Sequence, residues 1–324
     1  MTVRSLFCVA LLLGSAHAFA EATKYPLTVQ SCNREVTFKQ APKHAVSHDI
    51  NMTQMMLALG LKPSMAGYSG VSGWKSVTPD MQSLLDGLPE LAAKYPSVET
   101  LLNANVDFFF AGWDYGMRVG GDLTPQTLQP LGINVYELTE SCAFVMKRPA
   151  ATLEDTYNDL RNLGKIFDVQ DRANALIADM QTKVAAVRKN LPADVLANKP
   201  RVFLYDSGED RAMTSGRLGM PQALIDAAGG RNILDDVEAS WTRVNWENVV
   251  ERNPQVIVIV DYGEVTAAQK KQFLLDNQAL QSVDAIKNRR FIVIPYVQAT
   301  PGIDNVLAVE TLAKGFSFKE PQRP

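Results

Sequence analysis

The run from Val256 to Val260 reads VIVIV, β-branched at every position. Such side chains are stiff and suit a pleated surface, and with no polar side to turn to water the strand must be buried on both faces. A strand of that kind needs helices above and below a largely parallel sheet, and the rest of the chain alternates accordingly. In the first half, strands are expected at 46–47, 65–68, 106–111 and 133–138. Helices are expected over 51–59, closed by Gly60, over 98–102, and over 124–131, closed by Gly132. The second half repeats this logic without repeating the sequence. Its strands are expected at 202–205, 256–260 and 291–295, and its helices at 220–228, 246–252, 267–275 and 305–314.

Between the halves, residues 152–191 change character. Leu160, Leu163, Ile166, Leu176, Ile177, Met180, Val184 and Val187 recur at helical spacing. Thr152 with Asp155 resembles a capping box, and Gly164 with the stretch 167–169 predicts a helix, a bend and a longer helix. The polar, proline-bounded segment 191–200 follows. A chain of this length exceeds what one core usually fills. The expected organisation is a leader at 1–20, an N-terminal α/β lobe at 21–151, an interlobe helix and connection at 152–197, and a C-terminal α/β lobe at 198–324.

The leader has Arg4 near its start, an apolar run from Leu6 to Leu13 and small residues ending at Ala18 and Ala20, which is the pattern of a secretory signal peptide cut after Ala20. The apolar run is too short to span a membrane, and Cys8 lies inside it rather than after it, so lipid attachment is not expected. Export to the periplasm follows. Removing Arg4 leaves the protein one unit more negative than its formal charge of −3, which gives no electrostatic footprint for nucleic acid. Only Cys32 and Cys142 then remain. An oxidising compartment favours a disulfide between them, two buried free thiols being the alternative.

Each half carries a short helix, an Asn-bearing turn and a buried strand in succession, ETLLNANVDFFF at 99–110 and ENVVERNPQVIVI at 247–259. Together with Ala58 to Gly60, Ala227 to Asn232 and Thr300 to Gly302, this resembles the periplasmic binding proteins for ferric siderophores, haem and vitamin B12, over nearly the whole mature chain. The resemblance implies two Rossmann-like lobes joined by a long rigid helix, here 152–191, and modest closure on ligand. It implies a monomer that delivers a small-molecule metal chelate to an inner-membrane ABC permease with its ATPase. It also places Glu99 and Glu247 where the family meets permease arginines, although acids at helix N-termini need no such reason. The pair Cys32 and Cys142 and the loop at 47–51 depart from the best-known members and leave the ligand class open.

Ligands of open α/β sheets collect beyond the carboxyl ends of strands. In the first half that rule selects His48, Asp49, Asn51, Tyr68, Trp74, Trp113, Tyr115, Arg118 and Glu140. The loop GWDYGMR at 112–118 is the richest, offering two large aromatic faces for a planar or greasy ligand. In the second half the rule selects Tyr205, Asp206, Asp210, Arg211, Arg217, Trp241, Arg243, Tyr262, Tyr296 and Gln298. The arginines suit carboxylates, hydroxamates or phosphates, whereas Asp206, Asp210 and Asp261 suit amides and hydroxyls of a more neutral ligand. His48 beside Asp49 is the one metal-ligating hint. A protein metal site needs three or four ligands, so no metal is expected on the protein itself. No nucleophile elbow or glycine-rich phosphate loop is present, which argues against an enzyme and against a bound cofactor. The expected function is capture of a ferric siderophore, with a tetrapyrrole or corrinoid second, supported by His48. Direct binding of a transition metal through His48, Asp49, Glu140 and a second-lobe acid is the remaining alternative.

Overall fold

The structure, a computed structural model, describes residues 21–74 and 77–317; the expected leader lies outside the described residues. The first half opens with an antiparallel hairpin, β1 (Leu27–Ser31) and β2 (Arg34–Phe38). It continues through β3 (Ala45–His48), α1 (Ile50–Ala58), β4 (Met65–Ser69), α2 (Pro79–Leu85), β5 (Glu90–Ala92) and α3 (Val98–Asn103). Then come β6 (Phe108–Trp113), β7 (Gly116–Met117), α4 (Pro125–Leu128) and β8 (Asn134–Glu137), followed by a 3₁₀ turn, Thr139–Phe144. Strands β5, β4, β3, β6 and β8 pair in that order, all parallel, with β7 on the end of β6.

Two helices, α5 (Leu153–Ile166) and α6 (Gln170–Lys189), and the short α7 (Ala193–Ala197) lead to the second half. There β9 (Arg201–Tyr205), β10 (Ala212–Ser215), α8 (Met220–Ala227), β11 (Arg231–Asn232), β12 (Trp241–Val244), α9 (Trp246–Arg252) and β13 (Val256–Asp261) are followed by α10 (Ala267–Asp276), α11 (Asp284–Lys287), β14 (Phe291–Pro295), α12 (Tyr296–Ala299) and α13 (Asn305–Phe316). The second sheet runs β11, β9, β13, β14, again all parallel, and β10 and β12 form a separate antiparallel ribbon.

The two-residue period of strands explains both cores. Phe108 and Phe110 pack with α1 and α5 on one face of the first sheet, while Phe109 and Ala111 pack with α3 and α4 on the other. In the second sheet Val256, Val258 and Val260 join α8 and α13, and Ile257 and Ile259 join α9, α10 and α11. The cluster that contains α5 and α6 runs through both halves. Burial on both faces is therefore realised at both central strands.

The connection is a helix, a bend and a longer helix. Asp168 at φ 57° reverses the chain, and the start of α5 and the end of α6 line one groove, so α6 returns along α5. Both helices reach both halves: α6 packs on α13 and its Arg172 donates to the Leu59 carbonyl at 3.3 Å, while α5 is about 21 Å long. It packs on the 3₁₀ turn and on α8, and Thr156 on it bonds Asn305 of the second half at 3.0 Å. The threonine half of the expected capping box does not form: Thr152 makes no side-chain cap bond, and Asp155 pairs with Arg148 at 2.6 Å. Residues 193–197 of the expected irregular connection are helical.

Candidate functional site

Residues just past the strand ends of both sheets converge on one cleft of about 190 Å³. Asp114 and Tyr115 follow β6, Phe144 ends the 3₁₀ turn after β8, Asp206 follows β9, Tyr262 follows β13 and Tyr296 follows β14; Met213 and Trp241 come from the β10 and β12 ribbon. Parallel sheets leave unpaired groups at their carboxyl ends, and here two such ends face each other.

The polar groups of the wall and behind it are organised in pairs. Tyr262 donates its hydroxyl to Asp206 Oδ2 at 2.7 Å, which also accepts from Ser207 Oγ at 2.8 Å. Tyr296 donates to Asp49 Oδ2 at 2.8 Å, a bond that crosses from the second half to the first. Tyr115 donates to Glu140 Oε1 at 3.4 Å. The Tyr262 and Tyr296 rings lie 5.2 Å apart at 56°. Burial, reinforced by these carboxylates, raises all three phenols above their ordinary pKa. Asp49 holds φ at 70°, a conformation costly for a non-glycine residue. Its other oxygen caps α1 through the Ile50 N–H at 2.6 Å. The Trp241 indole N–H is buried, and its pull on the Tyr115 hydroxyl works against the rise of that phenol's pKa.

Glu140 is a tie between the halves rather than a wall residue. Its oxygens accept from Ser240 Oγ at 2.7 Å and from the Met220 N–H at 2.6 Å, the first turn of α8. Burial pushes its pKa up to about 7 against the pull of those two donors. Asn51 makes a second tie, donating to the Pro301 carbonyl at 2.7 Å. Gln298 lies beside it, its carbonyl accepting from Asn305 at 3.3 Å.

Several expected residues are placed elsewhere. Trp113, the last residue of β6, turns to the far face, packs in the core with α3 and α4, and donates Nε1 to Glu137 at 3.0 Å. Tyr205, the last of β9, lies in the second core against Trp246, with ring centres 5.6 Å apart, and Tyr68 lies in the core beside α1. His48 is 3% exposed, stacked on Tyr95 at 5.4 Å, with Nδ1 3.0 Å from Ser69 Oγ. A Cβ at Gly70 or Gly116 would come within 2.4 or 2.7 Å of its ring, so both positions need glycine. Trp74 and Arg118 gather on the same Tyr95, Trp74 edge-on at 6.1 Å and Arg118 at 5.3 Å. That makes a rim cluster outside the cleft lining.

The arginines also lie outside the wall. Arg217 pairs with Glu238, and Arg211 and Arg243 each reach the other's backbone carbonyl, at 2.9 and 3.5 Å. Asp210 is exposed on the same loop. Asp114, Phe144 and Ser240 lie in segments that sequence reasoning selected without naming them as site residues, whereas Met213 of the wall and Tyr95 of the rim were not selected. Asp114 carried one signal, its place before Gly116 in a glycine-flanked turn, where it adopts φ 61°; Met213 carried none.

Cys32 and Cys142 are bonded. The bridge fastens the β1–β2 hairpin to the 3₁₀ turn that holds Glu140 and Phe144, and Glu137 reinforces it by accepting from Ser31 Oγ at 2.6 Å and Arg34 Nη2 at 2.7 Å. Glu99 and Glu247 are exposed in the first turns of α3 and α9. Among the described residues no group of three or more His, Cys, Asp or Glu could hold a metal ion, and no helix is long and apolar enough to cross a membrane.

The profile of a family described as periplasmic binding protein matches residues 46–297. The chain is 21% identical over 301 residues to the ABC transporter substrate-binding lipoprotein YvrC of Bacillus subtilis, covering 91% of this chain and 88% of that one. It is 25% identical over 220 residues to the vitamin B12-binding protein of Pectobacterium carotovorum, covering 67% and 71%. Among solved structures it is similar to a periplasmic binding protein from Veillonella parvula, with TM-score 0.76, 28% identity and coverage of 89% and 96%.

Proposed function

This chain belongs to the periplasmic binding protein family, and from that premise we propose that it is the exported solute-binding component of an ABC importer, capturing an iron-siderophore-type metal chelate between its two sheets. The observation that carries the reading is the convergence of strand-end residues from both halves on one cleft, with Tyr115 and Phe144 facing Trp241, Tyr262 and Tyr296. Few torsions freeze when such rings bury a greasy chelate. Capture needs no chemistry: the rings exclude water, the carboxylates orient the ligand, and the loaded protein is handed to the permease.

Residues 21–151 and 198–324 act as the two lobes in this reading, 152–197 as the connection, and 1–20 as a leader removed on export to the periplasm. Glu99 and Glu247, exposed on equivalent helices of the two halves, meet cationic groups of the permease. The interlobe ties through Asp49, Asn51 and Glu140 favour small closure, and a monomer suffices. In this reading the protein acts by binding alone, as a transport component rather than an enzyme.

A corrinoid or tetrapyrrole is the second reading, favoured by the likeness to a vitamin B12-binding protein. Its original support, His48, is weakened because that ring is committed to Ser69 and Tyr95. The same commitment weighs against direct capture of a bare metal ion.

Native mass spectrometry of the tag-free protein with ferric siderophores, haem, cobinamide and free divalent metals tests the proposal. A one-to-one chelate adduct, weakened by Trp241→Ala, is expected. Binding of a bare metal alone, lost in His48→Ala, would overturn the chelate assignment and leave the transporter reading standing.

A further inference from the structure

We propose that the cleft selects, among chelates, those that present hydrogen-bond donors or positive charge to it, because its wall is built almost entirely of acceptors. The inference rests on the reading of the cleft as a chelate site and narrows it. A phenol has one proton to give. Tyr115 and Tyr296 give theirs to Glu140 and Asp49 behind the wall, and Tyr262 gives its own to Asp206 of the wall itself. What they turn to the cleft is therefore oxygen lone pairs and ring faces. Asp114 and Asp206 add carboxylate groups to the lining, and Phe144 and Met213 offer no N–H or O–H donor. The remaining side-chain donor of the wall, the Trp241 indole, has its N–H buried and acting on the Tyr115 hydroxyl rather than turned to the cleft.

The cations of the neighbourhood stand outside that lining. Arg211 and Arg243 hold each other's carbonyls, Arg217 holds Glu238, and Arg118 lies over Tyr95. Lys270 sits behind the Tyr262 ring at 4.4 Å and donates to the Val260 carbonyl at 2.7 Å, so it offsets part of the Asp206 charge without offering a donor to the cleft. An anionic group entering the cleft would give up its water and meet no charged donor. An ammonium or amide N–H would meet carboxylate oxygens and the negative faces of aromatic rings instead. The raised phenols fit this field, since Glu140, Asp206 and Asp49 each contribute to it.

One chelate in three charge states tests the idea. Ferric desferrioxamine B has a free terminal amine; acetylating or succinylating that amine makes the end neutral or negative and leaves the iron-binding hydroxamates untouched. Quenching of tryptophan fluorescence gives the three dissociation constants on the wild-type protein. The expected order is positive tightest, neutral next, negative weakest, with about tenfold or ~1.4 kcal/mol between the ends. The spread should narrow in Asp114→Asn, whose exposed side chain leaves the core undisturbed, and further with Asp206→Asn added. Tight binding with a flat or reversed order overturns this proposal and leaves the chelate reading intact. No binding of any of the three at millimolar concentration overturns the siderophore reading, and this proposal with it.

Discussion

The two halves share one architecture but divide the labour of the cleft. The second half supplies five of the eight wall residues, Asp206, Met213, Trp241, Tyr262 and Tyr296, whereas the first supplies Asp114, Tyr115 and Phe144. The first half instead carries the staples: the Cys32–Cys142 bridge, the Glu137 hub and the strained Asp49. The same sheet-end geometry thus supplies mostly lining in one half and mostly support in the other.

The sharpest way to break that comparison is to remove one tryptophan from each role. Trp241→Ala should weaken chelate binding by about a hundredfold, or ~2.7 kcal/mol, as loss of a central aromatic anchor does. Trp113→Ala should leave affinity within about threefold and instead cost about 3 kcal/mol of stability, because its ring fills the core and its N–H satisfies Glu137. Fluorescence titration and urea unfolding of the two variants read both quantities, and equal affinity losses would dissolve the division.

The stapling of the first half is next. Replacing both Cys32 and Cys142 with Ser should cost about 2–5 kcal/mol in urea unfolding. It should also raise hydrogen exchange in the Thr139–Phe144 turn while sparing the β10 and β12 ribbon. Exchange rising uniformly in both halves would contradict a staple local to the first.

The tie at Glu140 gives a pH signature. Its pKa is raised from 4.5 to about 7 in the fold, and that of Asp159, buried under Tyr136 and Thr139, from 3.8 to about 7. The native state therefore holds more protons than the unfolded chain between roughly pH 4 and 7, so stability falls as pH rises through that window and levels off above it. Glu140 contributes on the order of 3 kcal/mol to that fall. Thermal melts at pH 5 and pH 8 should show the lower midpoint at pH 8, and Glu140→Gln should shrink the difference; an unchanged difference would remove Glu140 from the account.

The smallest expected effect on binding comes from the surface. Glu99→Lys with Glu247→Lys should leave chelate affinity within about twofold, as exposed charges far from a cleft do. Uptake reconstituted with the cognate permease should nevertheless be lost, and normal uptake would discard the docking role.

Much of the fold was readable because β-branched runs such as 256–260 have only one way to be buried. The strand-end rule reached Tyr115, Asp206, Tyr262 and Tyr296 for the same reason. It also selected Trp113 and Tyr205, whose rings lie in the cores because the residue that ends a strand still obeys the two-residue period. In the 112–118 loop, the positive φ of Asp114 decides which aromatic turns outward, and nothing in the local sequence announces it. The arginines lie outside the lining for a different reason. Their partners, Glu238 for Arg217 and a backbone carbonyl across the β10 and β12 ribbon for Arg211 and Arg243, are brought near only by tertiary structure.

The most direct test of the central claim is the position of the iron. In crystals grown with ferric desferrioxamine B, anomalous scattering at the iron edge should give one strong peak inside the cleft, between Tyr115 and Trp241. A peak instead beside His48, Trp74 and Tyr95 would contradict the claim and move the site to the rim of the first half.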